Sequence, residues 1–219
     1  MATASVLFYA AKEKRKMSKK ILNIANGGKI NSKGDLMIEF KGFNKIPRYS
    51  RDIIVTEKID GTNAQITITD VGEIFFGSRN RWITPENDNH GFAKWGHENK
   101  DELLKLGVGT HYGEWWGCGI QRGYGQLIKK FSLFNTVKWN NNNIPACCNV
   151  VPILFWGIFD DFDLCEMMHE LKNEGSLAAP GYNNPEGIII YHIAGDCYFK
   201  KTFEKDKLTK NQRRNFEAL

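Results

Sequence analysis

Two spacings of apolar residues run along the chain, and the two-residue spacing dominates. LMIEF (36–40), DIIVTEK (52–58), NAQITIT (63–69) and GEIFFGSR (72–79) are rich in β-branched and aromatic residues and predict strands. Only Asp70-Val71-Gly72 separates the last two, which predicts a hairpin. GFAKWGHENKDELLKL (91–106) repeats its apolar residues at helical spacing and predicts one helix. HYGEWWG (111–117) is strand-like, and glycines then break the pattern. NTVKWNNNNIPACCN (135–149) predicts a loop by composition, and VPILFWGIFD (151–160) a buried strand. DLCEMMHELKNEG (163–175) predicts a helix ended by glycine, and EGIIIYH (186–192) with CYFKKTFEK (197–205) a final strand pair. Strands that cluster in pairs with a few helices between them predict an α+β fold built on antiparallel sheet.

At 219 residues, with 42% apolar and 12% aromatic content, the chain is long enough to bury a core and is not of disordered composition. A formal net charge of +5 points toward a polyanionic partner. The basic residues concentrate in two clusters, one from Lys12 to Lys20 and one from Lys200 to Arg214. Such runs are by default solvated tails. Cys118, Cys147, Cys148, Cys165 and Cys197 are odd in number and lack metal-ligand spacing, so neither a disulfide framework nor a zinc site is expected. A reducing, intracellular compartment follows. The longest apolar run is about ten residues with a proline inside, too short to cross a bilayer.

Within the strands, VTEKIDGTNAQI (55–66) places a lysine where sheet is expected, with Asp60-Gly61 turning the chain into the next strand. A lysine at a strand end that faces a cleft can act as a nucleophile. It must then be neutral, although lysine's reference pKa is about 10.4, so nearby cations, burial or a metal have to help. Lys200 and Lys201 on the last strand are candidates for that role and for binding phosphate. Glu114 and Glu186 each stand beside a glycine in a strand-like stretch. A divalent cation bound to phosphates takes only one or two carboxylates, which suits such a pair. Trp156 and Phe159 are candidates to stack a nucleobase. GEWWGCGIQRGYG lacks the strand–GxGxxG–helix context and is no dinucleotide loop.

The order EKIDGTN, GSRNR, HYGEWWG, FWGIFD, PEGIIIY and YFKK along the chain resembles the covalent nucleotidyltransferases. That superfamily contains ATP-dependent ligases and mRNA capping enzymes. Within it the chain is most similar to nick-sealing RNA ligases of phages, eukaryotic viruses and trypanosome editing complexes. The resemblance implies an antiparallel-sheet nucleotidyltransferase (ATP-grasp-like) adenylylation domain over residues 21–206. Basic tails over 1–20 and 207–219 would flank it. Only 18 residues follow Lys201, whereas related ligases continue into an OB or helical domain.

The resemblance further implies that Lys58 attacks the α-phosphate of ATP, carries AMP, and passes it to an RNA 5′-phosphate that a 3′-hydroxyl then joins. Glu57 matches the adenine-recognising position, and Ile59, Asp60, Gly61, Thr62 and Asn63 complete the nucleotide-binding motif. Arg79 matches the arginine at the phosphates or incoming terminus, Glu114 the carboxylate on the ribose, and Trp156 or Phe159 the stacking aromatic. Glu186 matches the carboxylate that holds Mg2+ or Mn2+ through its waters, and Lys200 a lysine at the α-phosphate. Two departures stand out. Lys200-Lys201-Thr202 lacks the usual spacing of two between lysines, and Asp60 stands where the nearest RNA ligases often carry histidine. The Asn140–Asn143 run widens the gap between two motifs as a surface insertion. The expected partners are RNA ends or a nicked duplex with 5′-phosphate and 3′-OH, met by a monomer without membrane contact. A DNA ligase, a capping guanylyltransferase or a catalytically silent nucleic-acid-binding module are the alternatives.

Overall fold

The computed structural model describes residues 42–204 and 206, together with the backbone of two short strands before them. Contacts divide the chain into two units, Met1–Ile46 and Pro47–Leu219. In the first, β1 (Lys29–Ile30) pairs antiparallel with β2 (Leu36–Met37). The remainder of the expected strand at 36–40 and both predicted basic tails lie outside the described residues.

The second unit is built on two sheets. One has four antiparallel strands in the order β10 (Ile153–Ile158), β3 (Asp52–Lys58), β11 (Gly187–His192), β12 (Cys197–Thr202). The other has six in the order β6 (Trp82–Ile83), β5 (Ile74–Ser78), β4 (Thr62–Ile68), β7 (Gly109–Gly117), β8 (Lys129–Leu133), β9 (Cys148–Val150). Its last pair, β8 with β9, is parallel, and every other pairing in both sheets is antiparallel. The α+β class read from the sequence is therefore the observed one.

β3 is central in its sheet and buried on both faces from Ile53 to Glu57, which its uninterrupted apolar run anticipates. β10 was expected to be buried and is not. Among the described residues it is an edge strand paired only with β3, and Ile153, Trp156 and Ile158 are exposed. β4 and β5 form the predicted hairpin around Asp70–Gly72. β8 was not foreseen, because KKFSL carries two lysines on a five-residue strand, and β9 begins within the last two residues of the stretch 135–149 expected to be loop.

The single helix expected over 91–106 is broken. α1 (Phe92–Glu98) and α2 (Lys100–Leu103) meet at Asn99, and a 3-10 turn follows at Leu104–Leu106. Asn99 has φ −110° and ψ 19°, and its side-chain amide donates to the Trp95 carbonyl at 2.8 Å. A side chain that bonds local backbone in this way competes with the helical ladder. α3 (Leu164–Glu174) matches expectation. Asp163 caps it by accepting from the Cys165 and Glu166 amides, and Gly175 closes it at φ 85°.

Three buried clusters hold these layers. α1 and α2 lay Phe92, Ala93 and Leu103 on the face of the six-stranded sheet that carries Ala64, Ile66 and Ile68. α3 brings Leu171 onto Ile53, Val55, Ile188 and Ile190 of the four-stranded sheet. A third cluster, Ile59, Trp116, Tyr124, Val151 and Ala179, sits where the chain passes from one sheet to the other. The candidate residues concentrate at this crossing.

Candidate active site

Lys58 is the last residue of β3, and β4 begins at Thr62 in the other sheet. The turn of Ile59, Asp60 and Gly61 is therefore a passage between sheets and not a hairpin. Ile59 is buried in the third cluster and pins it. Gly61 is demanded by close approach: a Cβ there would lie 2.4 Å from the Trp115 carbonyl oxygen and 2.7 Å from the Trp116 Cβ. That contact lets the Gly61 amide donate to Glu114 Oε1 at 3.1 Å, while Asn63 donates its amide to Glu114 Oε2 at 3.3 Å. Asn63 and Glu114 are direct cross-strand partners of β4 and β7.

On the other side of Lys58, β11 pairs Gly187 with it in register, so Glu186 emerges beside the amine. The Lys58 ammonium and Glu186 Oε2 form an ion pair. Gly187 has φ 152°, and a Cβ there would come within 2.1 Å of the Lys201 carbonyl oxygen. The two glycines that follow the lysine and the glutamate are thus what lets three strands converge on one amine.

The register of the four-stranded sheet separates the two lysines of β12. Successive side chains point to opposite faces, and paired residues share a face. Lys200 pairs with Ile189, which pairs with Thr56, two residues from Lys58. Lys200 is therefore on the Lys58 face. Lys201 pairs with Ile188 and through it with Glu57, on the opposite face, where its amine donates to Asp206 Oδ2 at 2.6 Å. Trp156 pairs with Ile54 on the Lys58 face and is 53% exposed. Phe159 lies past the end of β10, its ring 4.5 Å from that of Tyr49 and 5.9 Å from that of His192, packed onto the core under α3.

Glu57 points away from Lys58. Its carboxylate, 1% exposed as a residue, accepts from Ser176 Oγ at 2.6 Å and from the Ala178 amide at 2.9 Å. Burial raises its pKa, and these hydrogen bonds offset part of the rise. Thr62 accepts from the Asn89 side chain at 3.0 Å. Arg79 is exposed in the loop between β5 and β6, whereas Arg81 is spent on the Asn87 and Asp88 carbonyls at 2.9 and 3.1 Å.

Glu114 is the most perturbed carboxylate of the site. Burial pushes its pKa up to about 7, against the pull of the Lys58 charge and the Gly61 amide, with Glu186 and Asp60 pushing further up. These influences place Lys58, Glu114, Glu186 and Asp60 in one electrostatic neighbourhood. Among the described residues no three His, Cys, Asp or Glu side chains gather to hold a metal. Glu186 alone at the amine suits a hard cation whose other ligands are water and phosphate.

Two contributors went unrecognised in the sequence, both in the glycine-rich loop after β7. The Tyr124 hydroxyl accepts from the Asp60 amide at 2.9 Å, and Arg122 Nε donates to Asp60 Oδ2 at 3.0 Å.

The fold is that of solved RNA ligase structures from Naegleria gruberi. A lysine-to-alanine mutant with ATP and Mn shares 22% identity at a TM-score of 0.52, over 70% of this chain and 49% of that one. An arginine-to-alanine mutant with ATP and Mn gives 20% and 0.53, over 71% and 51%. A lysine-to-methionine mutant with AMP and Mn gives 20% and 0.51, over 78% and 52%. The chain thus spans about half the length of the ligases it matches. No curated protein matches it. The RNA ligase family itself matches residues 51–207, which is most of the chain, and the protein belongs to that family.

Proposed function

We propose that this protein is an ATP-dependent RNA ligase whose nucleophile is Lys58. The observation that carries the reading is the convergence on one amine. Lys58 ends β3 with Glu186 bonded to it, Glu114 on β7 bonded to the turn that follows, and Lys200 on the same face of the sheet. That is a nucleophile surrounded by the charges that phosphorus chemistry requires.

In this reading Lys58 Nζ forms a bond to the α-phosphorus of ATP, the bond to the β-phosphate oxygen breaks, and pyrophosphate leaves. The 5′-phosphate of an RNA end then attacks that phosphorus and releases the lysine, leaving an adenylylated end. A 3′-hydroxyl attacks the 5′-phosphorus, the strand is joined and AMP departs. Lys200 neutralises charge that builds on the α-phosphate, and Arg79 engages phosphate at the incoming terminus, where a planar fork suits two oxygens. Glu114, with its pKa near 7, holds a ribose hydroxyl. Trp156, exposed on the Lys58 face, is better placed to stack the base than Phe159, which is packed into the core. Glu57 serves the nucleotide through the backbone it fixes, because its carboxylate is already bound to Ser176 and Ala178. Glu186 would hold Mg2+ or Mn2+ through waters, and the cation supplies charge neutralisation at the phosphates.

The test is sealing of a nicked RNA duplex by the protein with ATP and magnesium. Joined product supports the reading, and a protein that takes GTP in place of ATP or binds RNA without joining it refutes it.

A further inference from the structure

We propose that Arg122 is a positioning residue that aims Lys58 for its attack, by clamping the turn after the lysine to the segments that precede β11 and follow β12. The inference rests on the reading of Lys58 as the nucleophile.

The guanidinium reaches three separate parts of the chain. Nε donates to Asp60 Oδ2 at 3.0 Å, NH1 to the Asn184 carbonyl at 3.4 Å, and NH2 meets Glu204 Oε2 at 3.2 Å. Asp60 is two residues past Lys58, Asn184 is two before Glu186, and Glu204 is two past the end of β12. The Arg122 side chain is 15% exposed and Asp60 27%, so the bond between them is partly shielded from water, whereas Glu204 is 60% exposed. Among the described residues no other side chain is seen to tie the passage between the sheets to both of those segments.

The loop is built to hold this arginine in place. Gln121 and Tyr124, the residues before and shortly after it, both adopt left-handed backbone at φ 46° and 50°. Non-glycine residues rarely pay that strain unless their surroundings impose it. Tyr124 is buried, and its hydroxyl takes the Asp60 amide at 2.9 Å, so the loop grips Asp60 by backbone and side chain together. Asp60 also leads into Gly61, whose amide donates to Glu114. A shift of the turn would thus move Lys58 against Glu186 and Glu114 at once. Asp60 thus has its ion-pair partner in Arg122.

The consequence is specific to steps in which Lys58 itself reacts. Joining of an RNA end that already carries AMP does not use the lysine as nucleophile, and so escapes the loss. Small misplacement of a reacting atom costs up to about a hundredfold in rate. The experiment measures single-turnover labelling of the protein at saturating ATP, and separately the joining of pre-adenylylated RNA, for wild type, Arg122→Gln and Arg122→Lys. Thermal unfolding of each is recorded. The expected result is a labelling rate lower by about tenfold to a hundredfold in both variants, with the KM for ATP within about threefold of wild type. Joining of pre-adenylylated RNA stays within about threefold, and lysine fails to rescue because it lacks the fork. Labelling at the wild-type rate, or an equal loss in both reactions, overturns the clamp. If Arg122→Gln does not unfold cooperatively, Arg122→Lys decides by the same criteria. Wild-type protein that takes no label defeats the reading of Lys58 itself, a result distinct from failure of the clamp.

Discussion

Lys58 and Glu186, 128 residues apart in sequence, form an ion pair because β3 and β11 set Lys58 directly opposite Gly187. Attack on phosphorus needs the lysine's lone pair, so Glu186 must give up this contact when nucleotide and cation enter. Lys58→Arg separates the two roles. Arginine keeps a charge that can pair with Glu186 but stays protonated and cannot attack. Unfolding temperature is expected to remain near wild type while covalent labelling disappears, which calorimetry and labelling together check.

The two lysines of β12 are expected to differ. Lys200→Ala, on the Lys58 face, should slow adenylylation by about a hundredfold or more, the size of loss seen when one charge-stabilising donor is removed. Lys201→Ala removes a bond to Asp206 on the opposite face and should slow it by less than about fivefold. Single-turnover labelling of both variants decides.

Glu114 makes stability depend on pH. Its pKa in the fold is about 7 against an ordinary 4.5, so between those values the folded protein binds more protons than the unfolded chain. The stability it contributes is complete below about pH 4.5 and is lost as pH rises through 7. The loss is on the order of 3 kcal/mol for a shift of this size. Glu114→Gln, which still accepts from Gly61, should flatten the profile over that window and be the more stable protein above pH 7. Urea titrations across the window test this.

Glu57 is expected to act chiefly on stability. Glu57→Ala leaves the Ser176 hydroxyl and Ala178 amide without their acceptor and should cost about 2–4 kcal/mol. Ser176→Ala removes one donor from the same carboxylate and should cost less. Denaturant midpoints of the two variants give the comparison.

Much of the site was legible in the chain because it is carried by short runs. EKIDGTN, GEWW and PEG sit at strand ends, and pattern alone located those ends within a residue or two. The resemblance already set Lys200 at the α-phosphate, but that Lys201 faces the other way was not legible, since it depends on register with Ile188 and Ile189 across the sheet. The roles of Glu57, Arg122 and Tyr124 were also hidden. Their partners lie 119, 62 and 64 residues away, and no local spacing reports such contacts. The broken helix at Asn99 was missed for a local reason, an amide that bonds its own backbone within an otherwise periodic run.

The most direct test of the account is covalent labelling of the wild-type protein with α-labelled ATP and magnesium, read after denaturing electrophoresis beside Lys58→Ala. The account predicts a labelled band in the wild type, none in Lys58→Ala, and none with α-labelled GTP. A label retained in Lys58→Ala, or no label in the wild type, would contradict it.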